Sequence, residues 1–466
     1  MELVSTGVEG LDEILHGGFT RGAAFLIEGT PGVGKTMLAL EWALRGVKEG
    51  EEVLYVAFSE SRRELDTIAE TNGWNLSGLH LLESLPPEGE HTMFHPSEVE
   101  LEKTMGRVRE EMDRHKVSRA VIDSLSEIRL LSQSELRYHR ELLQFKDFLQ
   151  ERHNTVLLLD EQASPEAAAL VSGVIRLEQY LPAYGGVRRR LSVTKMRGRD
   201  YAGGYHDFII KKGGLQVFPR LIAAGHRVEH PVQPVSSGIE SLDQLCGGGI
   251  PSGTSTLVVG AAGTGKSSLA GSFAVAAAER SESAVIYTFD ERPELIIQRL
   301  SGLGMGVEKH LESGLLRIQQ VDPAEFPPGQ LAHLVRQDVE NRQISVMVLD
   351  SLNGYLLAML ETSFLTTQMH ELLTYLGQQG VTSFLIMGQR GILEGVSSPI
   401  DASYLTDNLL WLHLFESDGE IRRSIAVVKQ RAGQHKHDIH ELKLGPEGLV
   451  VGEPVRKILE SPQTPL

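Results

Sequence analysis

The fold of this chain is decided by two stretches of eight residues, Gly29-Thr30-Pro31-Gly32-Val33-Gly34-Lys35-Thr36 and Gly260-Ala261-Ala262-Gly263-Thr264-Gly265-Lys266-Ser267. Both have the spacing of a phosphate-binding loop, in which four residues separate a glycine from Gly-Lys-Ser or Gly-Lys-Thr. The glycines let backbone N–H groups point at phosphates, the lysine reaches the β- and γ-phosphates, and the hydroxyl binds Mg²⁺. Two such loops predict that the chain binds nucleotides with magnesium.

The two loops belong to an internal duplication. Lys35 and Lys266 are 231 residues apart (266 − 35), and the same offset pairs other stretches of the two halves: Val4-Ser5-Thr6-Gly7 with Val235-Ser236-Ser237-Gly238, Leu11-Asp12 with Leu242-Asp243, Gly17-Gly18 with Gly248-Gly249, and Phe58 with Phe289. A period of this length is the size of a domain and too long for a solenoid repeat. We therefore expect a first domain at 1–222, a linker at 223–234, a second domain at 235–452 and a C-terminal tail at 453–466.

Apolar segments and helical segments alternate around each loop. We expect strands at 23–28 and 254–259, helices at 35–47 and 266–279, and further strands at 53–58 and 284–289. Continuous apolar strands that alternate with helices indicate a parallel sheet covered on both faces. The expected class is α/β, with two tandem P-loop NTPase domains that each consist of a mostly parallel sheet flanked by helices.

The amino-acid composition and net charge argue against a membrane protein and against a nucleic-acid-binding protein. The chain is 41% hydrophobic and 23% charged, as is usual for a globular protein. It has no apolar run of the ~18–20 residues that a membrane helix needs, and no secretion signal is visible. The single Cys246 fits a reducing interior, so we expect a cytoplasmic protein without a membrane partner. The net charge of −17 argues against nucleic acid as a partner, since phosphate contacts need clustered Lys and Arg.

An aspartate ends an apolar strand in each half. Asp123 follows Ala120-Val121-Ile122, Asp350 follows Val346-Met347-Val348-Leu349, and Ser-Leu comes next in both. A carboxylate at the end of such a strand, downstream of a phosphate-binding loop, holds the water shell of Mg²⁺. The alternative is an aspartate that caps a turn. We expect magnesium to be held by Thr36 and Asp123 in the first half, and by Ser267 and Asp350 in the second.

Hydrolysis also needs a group that orients or deprotonates the attacking water. The candidates are carboxylates at the end of the strand that follows the phosphate-loop helix, namely Glu60 in the first half and Asp290 and Glu291 in the second. The alternative is a surface acid at a strand end. The equivalent positions favour a catalytic role, and the unequal number of carboxylates suggests that the two halves differ in their chemistry.

A basic pair lies near the end of each half, Lys195 with Arg197 and Lys429 with Arg431. Side chains two residues apart on a strand project to the same side. From there they could reach the γ-phosphate bound to a neighbouring subunit, as arginine fingers do. The alternative is an exposed basic strand that discourages aggregation. We expect nucleotide contacts from these four residues.

With these residues assigned, the chain resembles the KaiC family of RecA-like ATPases. Three stretches carry the resemblance: Ser5-Thr6-Gly7-Val8-Glu9-Gly10-Leu11-Asp12, Gly214-Leu215-Gln216-Val217-Phe218-Pro219-Arg220 and Lys195-Met196-Arg197-Gly198. It covers almost the whole chain, and the tandem arrangement is more specific than any single motif. The resemblance implies two RecA-like domains, ATP and Mg²⁺ as cofactors, and a homohexameric double ring with ATP at the subunit interfaces.

In this family the first ring hydrolyses ATP slowly, and the second transfers the γ-phosphate to a Ser and a Thr of the neighbouring subunit. The chain departs from that pattern. Ser59 precedes Glu60, and Asp290 precedes Glu291, where the family has paired glutamates. Ser403 stands at the position of the phosphorylated Ser, but Tyr404 replaces the Thr. The resemblance therefore implies an ATPase with Ser403 as the candidate autophosphorylation residue and Asp290 as the base that would activate it.

Two other functions compete with a regulatory ATPase and autokinase. The first is a DNA-dependent motor of the RecA and RadA kind, which the net charge opposes. The second is an ATP-gated scaffold that recruits a protein signalling partner, with turnover incidental.

Overall fold

The computed structural model describes residues 2–83, 97–132, 134–182, 185–357, 362–388, 404–417 and 419–455. The chain divides into two compact units, residues 1–220 and residues 221–466. Two expectations fall wholly or partly outside the described residues: the candidate phosphorylation residue Ser403 and most of the predicted tail.

The first unit alternates strands and helices along the chain. Its strands are β1 (Leu3–Val4), β2 (Phe19–Thr20), β3 (Ala24–Glu28), β4 (Val53–Ala57), β5 (Leu79–Glu83), β6 (Arg119–Asp123), β7 (Thr155–Asp160), β8 (Gly173–Tyr180), β9 (Arg188–Met196), β10 (Tyr205–Lys211) and β11 (Gly214–Phe218). Its helices are α1 (Leu11–Ile14), α2 (Lys35–Lys48), α3 (Arg62–Asn72), α4 (Ser97–Arg114), α5 (Leu125–Ser132), α6 (Glu135–Arg152) and α7 (Pro165–Leu170).

The described strands from β3 to β11 form one nine-stranded sheet in the order β11-β10-β9-β8-β3-β7-β6-β4-β5. The ladders from β8 through β5 are parallel, and β8 to β11 pair as an antiparallel meander. Because parallel strands end at the same edge, the residues that follow β3, β4 and β6 meet there. The phosphate-binding loop follows β3, the segment with Glu60 follows β4, and Asp123 is the last residue of β6.

Apolar residues fill both faces of this sheet. In β3, Phe25 and Ile27 pack in the cluster that contains Trp42 of α2, whereas Leu26 packs in the opposite cluster with Leu142 of α6. All five side chains are at least 95% buried. Burial of one such side chain stabilises the fold by roughly 1.5–3 kcal/mol, so the two layers fix the position of the strand that leads into the loop.

The second unit has a similar order of elements, with an additional helix before its third long strand. Its strands are β12 (Pro234–Val235), β13 (Ile250–Pro251), β14 (Ser255–Gly260), β15 (Ser283–Thr288), β16 (Leu316–Gln320), β17 (Ile344–Asp350), β18 (Thr382–Gly388), β19 (Asn408–Ser417), β20 (Glu420–Gln430), β21 (His440–Gly445) and β22 (Gly448–Pro454). Its helices are α8 (Glu240–Leu245), α9 (Lys266–Glu279), α10 (Pro293–Gly302), α11 (Val307–Glu312), α12 (Pro328–Arg342), α13 (Leu352–Leu357) and α14 (Thr362–Gln378).

The sheet of the second unit has the order β16-β15-β17-β18-β14-β19-β20-β21-β22, parallel up to β19 and antiparallel beyond it. Residues 223–234, which the sequence suggests as a linker, make contacts within this unit. The Ala223 amide donates to Glu371 at 3.1 Å, and the His230 ring lies 2.8 Å from the Gly377 carbonyl oxygen.

The predicted fold class is confirmed. Each unit has a mostly parallel nine-stranded sheet with helices on both faces, as expected for a RecA-like α/β domain. Within the described part of the chain, no helix has both the length and the apolar character that crossing a membrane requires.

Candidate functional site

The first phosphate-binding loop connects β3 to α2. Gly34 precedes the helix with a φ of 116°, and a Cβ atom there would lie 2.9 Å from Ile210 Cδ1. Gly29 is also confined, because its Cβ would lie 2.5 Å from the Leu177 carbonyl oxygen. These close contacts leave no room for a side chain at either position, and glycines there suit a loop whose backbone amides approach a phosphate group.

Lys35 folds back over its own loop. Its ammonium group donates to the carbonyl oxygens of Gly29 at 2.6 Å and Thr30 at 3.3 Å. Burial lowers the pKa of Lys35, and the negative charge of Asp123 opposes that change. A cation held within a loop of backbone amides is suited to bind the β- and γ-phosphates of a nucleotide.

The second loop connects β14 to α9 with the same geometry. Gly265 has a φ of 97°, and Lys266 Nζ lies 2.8 Å from the Ala261 carbonyl oxygen. A cleft of about 530 Å³ opens beside this loop, and Ser267, Arg299 and residues of β21 are among its lining. A cleft of that volume accommodates a ligand of nucleotide size.

The structure brings the predicted magnesium ligands of the first unit together. Thr36 Oγ1 donates to Asp123 Oδ2 at 3.0 Å, and the Tyr55 hydroxyl donates to the same oxygen at 2.7 Å. Asp123 is almost fully buried, and burial raises its pKa against the effect of these hydrogen bonds. Among the described residues, no three His, Cys, Asp or Glu side chains form a metal-binding group. The pair fits Mg²⁺, which takes few ligands from protein and the rest from phosphates and water.

The second unit repeats that pair. Ser267 hydrogen-bonds to Asp350, and this bond opposes the rise in the pKa of Asp350 that burial causes. The sequence did not single out Tyr55, whose hydroxyl supports Asp123. The residue 231 positions after Tyr55 is Ile286, which has no hydroxyl to donate.

Glu60 lies beside the Thr36 hydroxyl of the first unit. Its Oε1 is 3.4 Å from Thr36 Oγ1, whereas its Oε2 is buried and accepts no hydrogen bond from any described residue. Burial, followed by the negative charge of Asp123, raises the pKa of Glu60 to about 7. A carboxylate with that pKa and a free oxygen is suited to take a proton near neutral pH.

The second-unit carboxylates have other partners. Both oxygens of Glu291 lie 2.7 Å from Nη1 of Arg299 on α10. Asp290 is exposed, and its Oδ2 accepts a hydrogen bond of 2.6 Å from the Ser351 hydroxyl. Glu60 and Glu291 are equivalent in sequence but not in environment. Sequence reasoning missed Arg299. The available signal was the duplication, in which the equivalent residue of the first unit is Ile68.

The basic pairs lie near the amino-terminal ends of the parallel strands, whereas the phosphate loops follow the carboxyl ends of β3 and β14. Lys195 lies in β9, whose end pairs with the start of β8, and its ammonium binds the Ala168 carbonyl oxygen. Arg197 donates to Ala169 at 2.8 Å. In the second unit, Lys429 donates to the Thr406 carbonyl oxygen at 2.6 Å.

Arg431 lies at the corresponding edge of the second sheet. Its guanidinium donates to the Tyr404 carbonyl oxygen at 3.3 Å and is 3.6 Å from the Asp407 carboxylate. The phosphate loops follow the carboxyl ends of β3 and β14, so each basic pair lies at the other end of the parallel strands from the loop of its own unit. Ser403 itself is not described, whereas Tyr404 beside it is 54% exposed.

Comparison with known proteins agrees with this geometry. The family model of the KaiC ATPases matches the chain twice, at residues 4–222 and 235–456. The chain belongs to the KaiC ATPase family. The circadian clock oscillator protein KaiC of Picosynechococcus is 26% identical over 98% of this chain and 90% of its own length. The circadian clock protein KaiC2 of Synechocystis is 27% identical over 95% of this chain and 80% of its own. The KaiC of Parathermosynechococcus lividus is 28% identical over 97% and 85%.

Membership of the KaiC family makes this chain a P-loop ATPase with two tandem nucleotide-binding domains. Both matched regions contain a complete phosphate-binding loop and a strand-terminal aspartate. The side chains around these shared elements differ between the two units, and the difference is concentrated at Glu60 and Glu291.

Proposed function

We propose that the chain binds ATP with Mg²⁺ in both units and hydrolyses ATP in the first. The position of Glu60 carries this proposal. One of its oxygens lies 3.4 Å from the Thr36 hydroxyl, and the other is buried without a hydrogen bond from the described residues. A carboxylate placed in this way can accept the proton of a water molecule that attacks a γ-phosphate bound at Lys35.

The groups around the first loop divide the work of hydrolysis. Lys35 binds the β- and γ-phosphates, Thr36 and Asp123 hold Mg²⁺, and Glu60 orients the water. Mg²⁺, when bound, neutralises charge on the phosphate oxygens. The water oxygen bonds to the γ-phosphorus while the bond from that phosphorus to the β–γ bridging oxygen breaks. Glu60 takes the water proton, and ADP leaves with the electron pair of the broken bond, followed by phosphate.

We infer a homohexameric double ring with ATP at the subunit interfaces. The family resemblance implies it, and the position of Lys195 and Arg197 supports it. Both lie near the amino-terminal ends of the parallel strands, away from the phosphate loop of their own unit. We therefore infer that any γ-phosphate they contact is bound to a neighbouring subunit. Lys429 and Arg431 have the same relation to the second loop.

A second activity, autophosphorylation of Ser403, has one observation in its favour. Asp290 is exposed at the end of β15, and it already accepts a hydrogen bond from the Ser351 hydroxyl at 2.6 Å. It could accept the proton of an incoming serine in the same way. Incubation with γ-labelled ATP tests this activity. Label that Ser403→Ala removes supports it, and an unlabelled wild type rules it out.

We further infer that the assembly is cytoplasmic and serves regulation through a protein partner. The names of its relatives, which are circadian clock proteins, support a regulatory role. The ATPase proposal is tested by phosphate release from purified protein. Glu60→Gln should reduce first-unit turnover by ~10²-fold or more, since a general base contributes 10²–10⁴-fold. Glu291→Gln is the matched control, and it should reduce turnover far less. Equal losses from the two variants would contradict a first-unit active site.

A further inference from the structure

An ion pair in the second unit has no counterpart at the equivalent described positions of the first. Nη1 of Arg299 lies 2.7 Å from both Oε1 and Oε2 of Glu291. The two side chains are only 32% and 29% exposed, so water screens the pair incompletely. Both oxygens of the carboxylate therefore already hold a charged donor.

The equivalent position in the first unit is apolar. Ile68 and Arg299 are 231 residues apart (299 − 68), and they lie at the same place in α3 and α10, which begin at Arg62 and Pro293. Ile68 packs against the apolar core of its unit. Glu60 consequently has no guanidinium from that helix position, and its Oε2 accepts no hydrogen bond from the part of the chain that the structure describes.

Arg299 itself faces the nucleotide cleft. It lines the cleft of about 530 Å³ together with Lys266 and Ser267. Its Nε and Nη2 are buried without an acceptor among the described residues, and its Nη1 donates to the Glu291 carboxylate. Among the described residues, Arg299 donates no hydrogen bond to a second carboxylate, although its positive charge also acts on Asp350. Replacing Arg299 therefore frees Glu291.

We propose that Arg299 is a positioning residue that holds Glu291 away from the water attacking the γ-phosphate, and thereby sets how slowly the second unit hydrolyses ATP relative to the first. The inference rests on the proposed ATPase function. It extends that function by assigning the difference between two equivalent glutamates to one side chain on the following helix.

The direct test exchanges the residues at this position. In a Glu60→Gln background, which leaves turnover to the second unit, Arg299→Ile should raise phosphate release about fivefold. That factor corresponds to the upper end of what a partly exposed ion pair contributes. Arg299→Lys should give a smaller rise, because lysine keeps the positive charge that attracts Glu291. Adding Glu291→Gln should abolish the gain, which a merely structural effect of Arg299 would not predict.

The reciprocal change is made in the first unit. In a Glu291→Gln background, Ile68→Arg should lower phosphate release about fivefold. If Ile68→Arg does not fold, as judged by circular dichroism, the Arg299→Ile series decides alone.

The results separate this inference from the function on which it rests. A wild type that hydrolyses ATP and loses turnover with Glu60→Gln, but gains nothing from Arg299→Ile in that background, overturns the role of Arg299 and leaves the ATPase proposal intact. A gain that persists when Glu291 is Gln also overturns it. A wild type that releases no phosphate from ATP overturns the ATPase proposal itself.

Discussion

Turnover in the first unit should depend on pH in a way that follows from the burial of Glu60. Its pKa is raised to about 7 by burial and by the charge of Asp123. A general base acts only when it is deprotonated, so activity should rise with pH through that value. With a pKa of 7, roughly one-tenth of the carboxylate is ionised at pH 6 and roughly nine-tenths at pH 8. We therefore expect kcat/KM for ATP to increase about tenfold between these pH values.

The assay is phosphate release at ATP concentrations well below KM, because kcat/KM reports the pKa of the free enzyme. Glu291→Gln protein is used so that the second unit adds little to the signal. Glu60→Gln provides the matched control, and its residual rate should not follow a titration near pH 7. A flat profile for the Glu291→Gln protein from pH 6 to pH 8 would refute the assignment of Glu60 as the base. So would the same rise in the Glu60→Gln variant.

Three further predictions concern the first unit. Tyr55→Phe removes the 2.7 Å hydrogen bond to Asp123, and since a bond to a charged group is worth ~1.5–3 kcal/mol, the Mg²⁺ concentration for half-maximal turnover should rise at least ~10-fold. Glu41 is partly buried, and desolvation raises its pKa to about 7. Its neutral form stabilises the fold fully below pH 4.5, and that stability is lost as pH rises through 7. Glu41→Gln should thus stabilise the protein by ~1–3 kcal/mol at pH 8, and not at pH 4.5, as measured by thermal unfolding. Arg197→Ala should reduce turnover by ~10²-fold or more if it acts on a neighbour's nucleotide. Mixing it with Lys35→Ala chains should then restore part of the activity, whereas additive loss would count against action between subunits.

The nucleotide-binding elements could be predicted from the sequence because each requires particular residue types at a fixed spacing. Lys35 and Thr36 must follow glycines that allow the loop to close, and a phosphate-loop helix must begin there. Asp123 is 87 residues further on, yet its place at the end of an apolar strand was sufficient to predict that it would meet Thr36. Parallel strands bring their carboxyl ends to one edge whatever the length of the connections.

The environments of the two glutamates could not be predicted in the same way. Sequence position makes Glu60 and Glu291 equivalent, but their partners depend on which side chain the next helix turns towards them. The substitution of Ile68 by Arg299 was visible in the duplication, and its meaning required the distance between Arg299 and Glu291. Tyr55 was also missed, because a tyrosine in an apolar strand is expected to be a core residue. Only the pairing of β4 with β6 shows that its hydroxyl donates to Asp123.

The central claim is that one chain holds two ATP molecules and hydrolyses them unequally. It is tested most directly by a single-turnover experiment, in which protein loaded with radiolabelled ATP and Mg²⁺ is separated from free nucleotide and the ADP formed per chain is followed with time. We predict two bound nucleotides per chain and two phases of equal amplitude, the faster of which disappears in Glu60→Gln. A single phase that consumes both nucleotides at one rate, or a fast phase that survives in Glu60→Gln, would contradict the account.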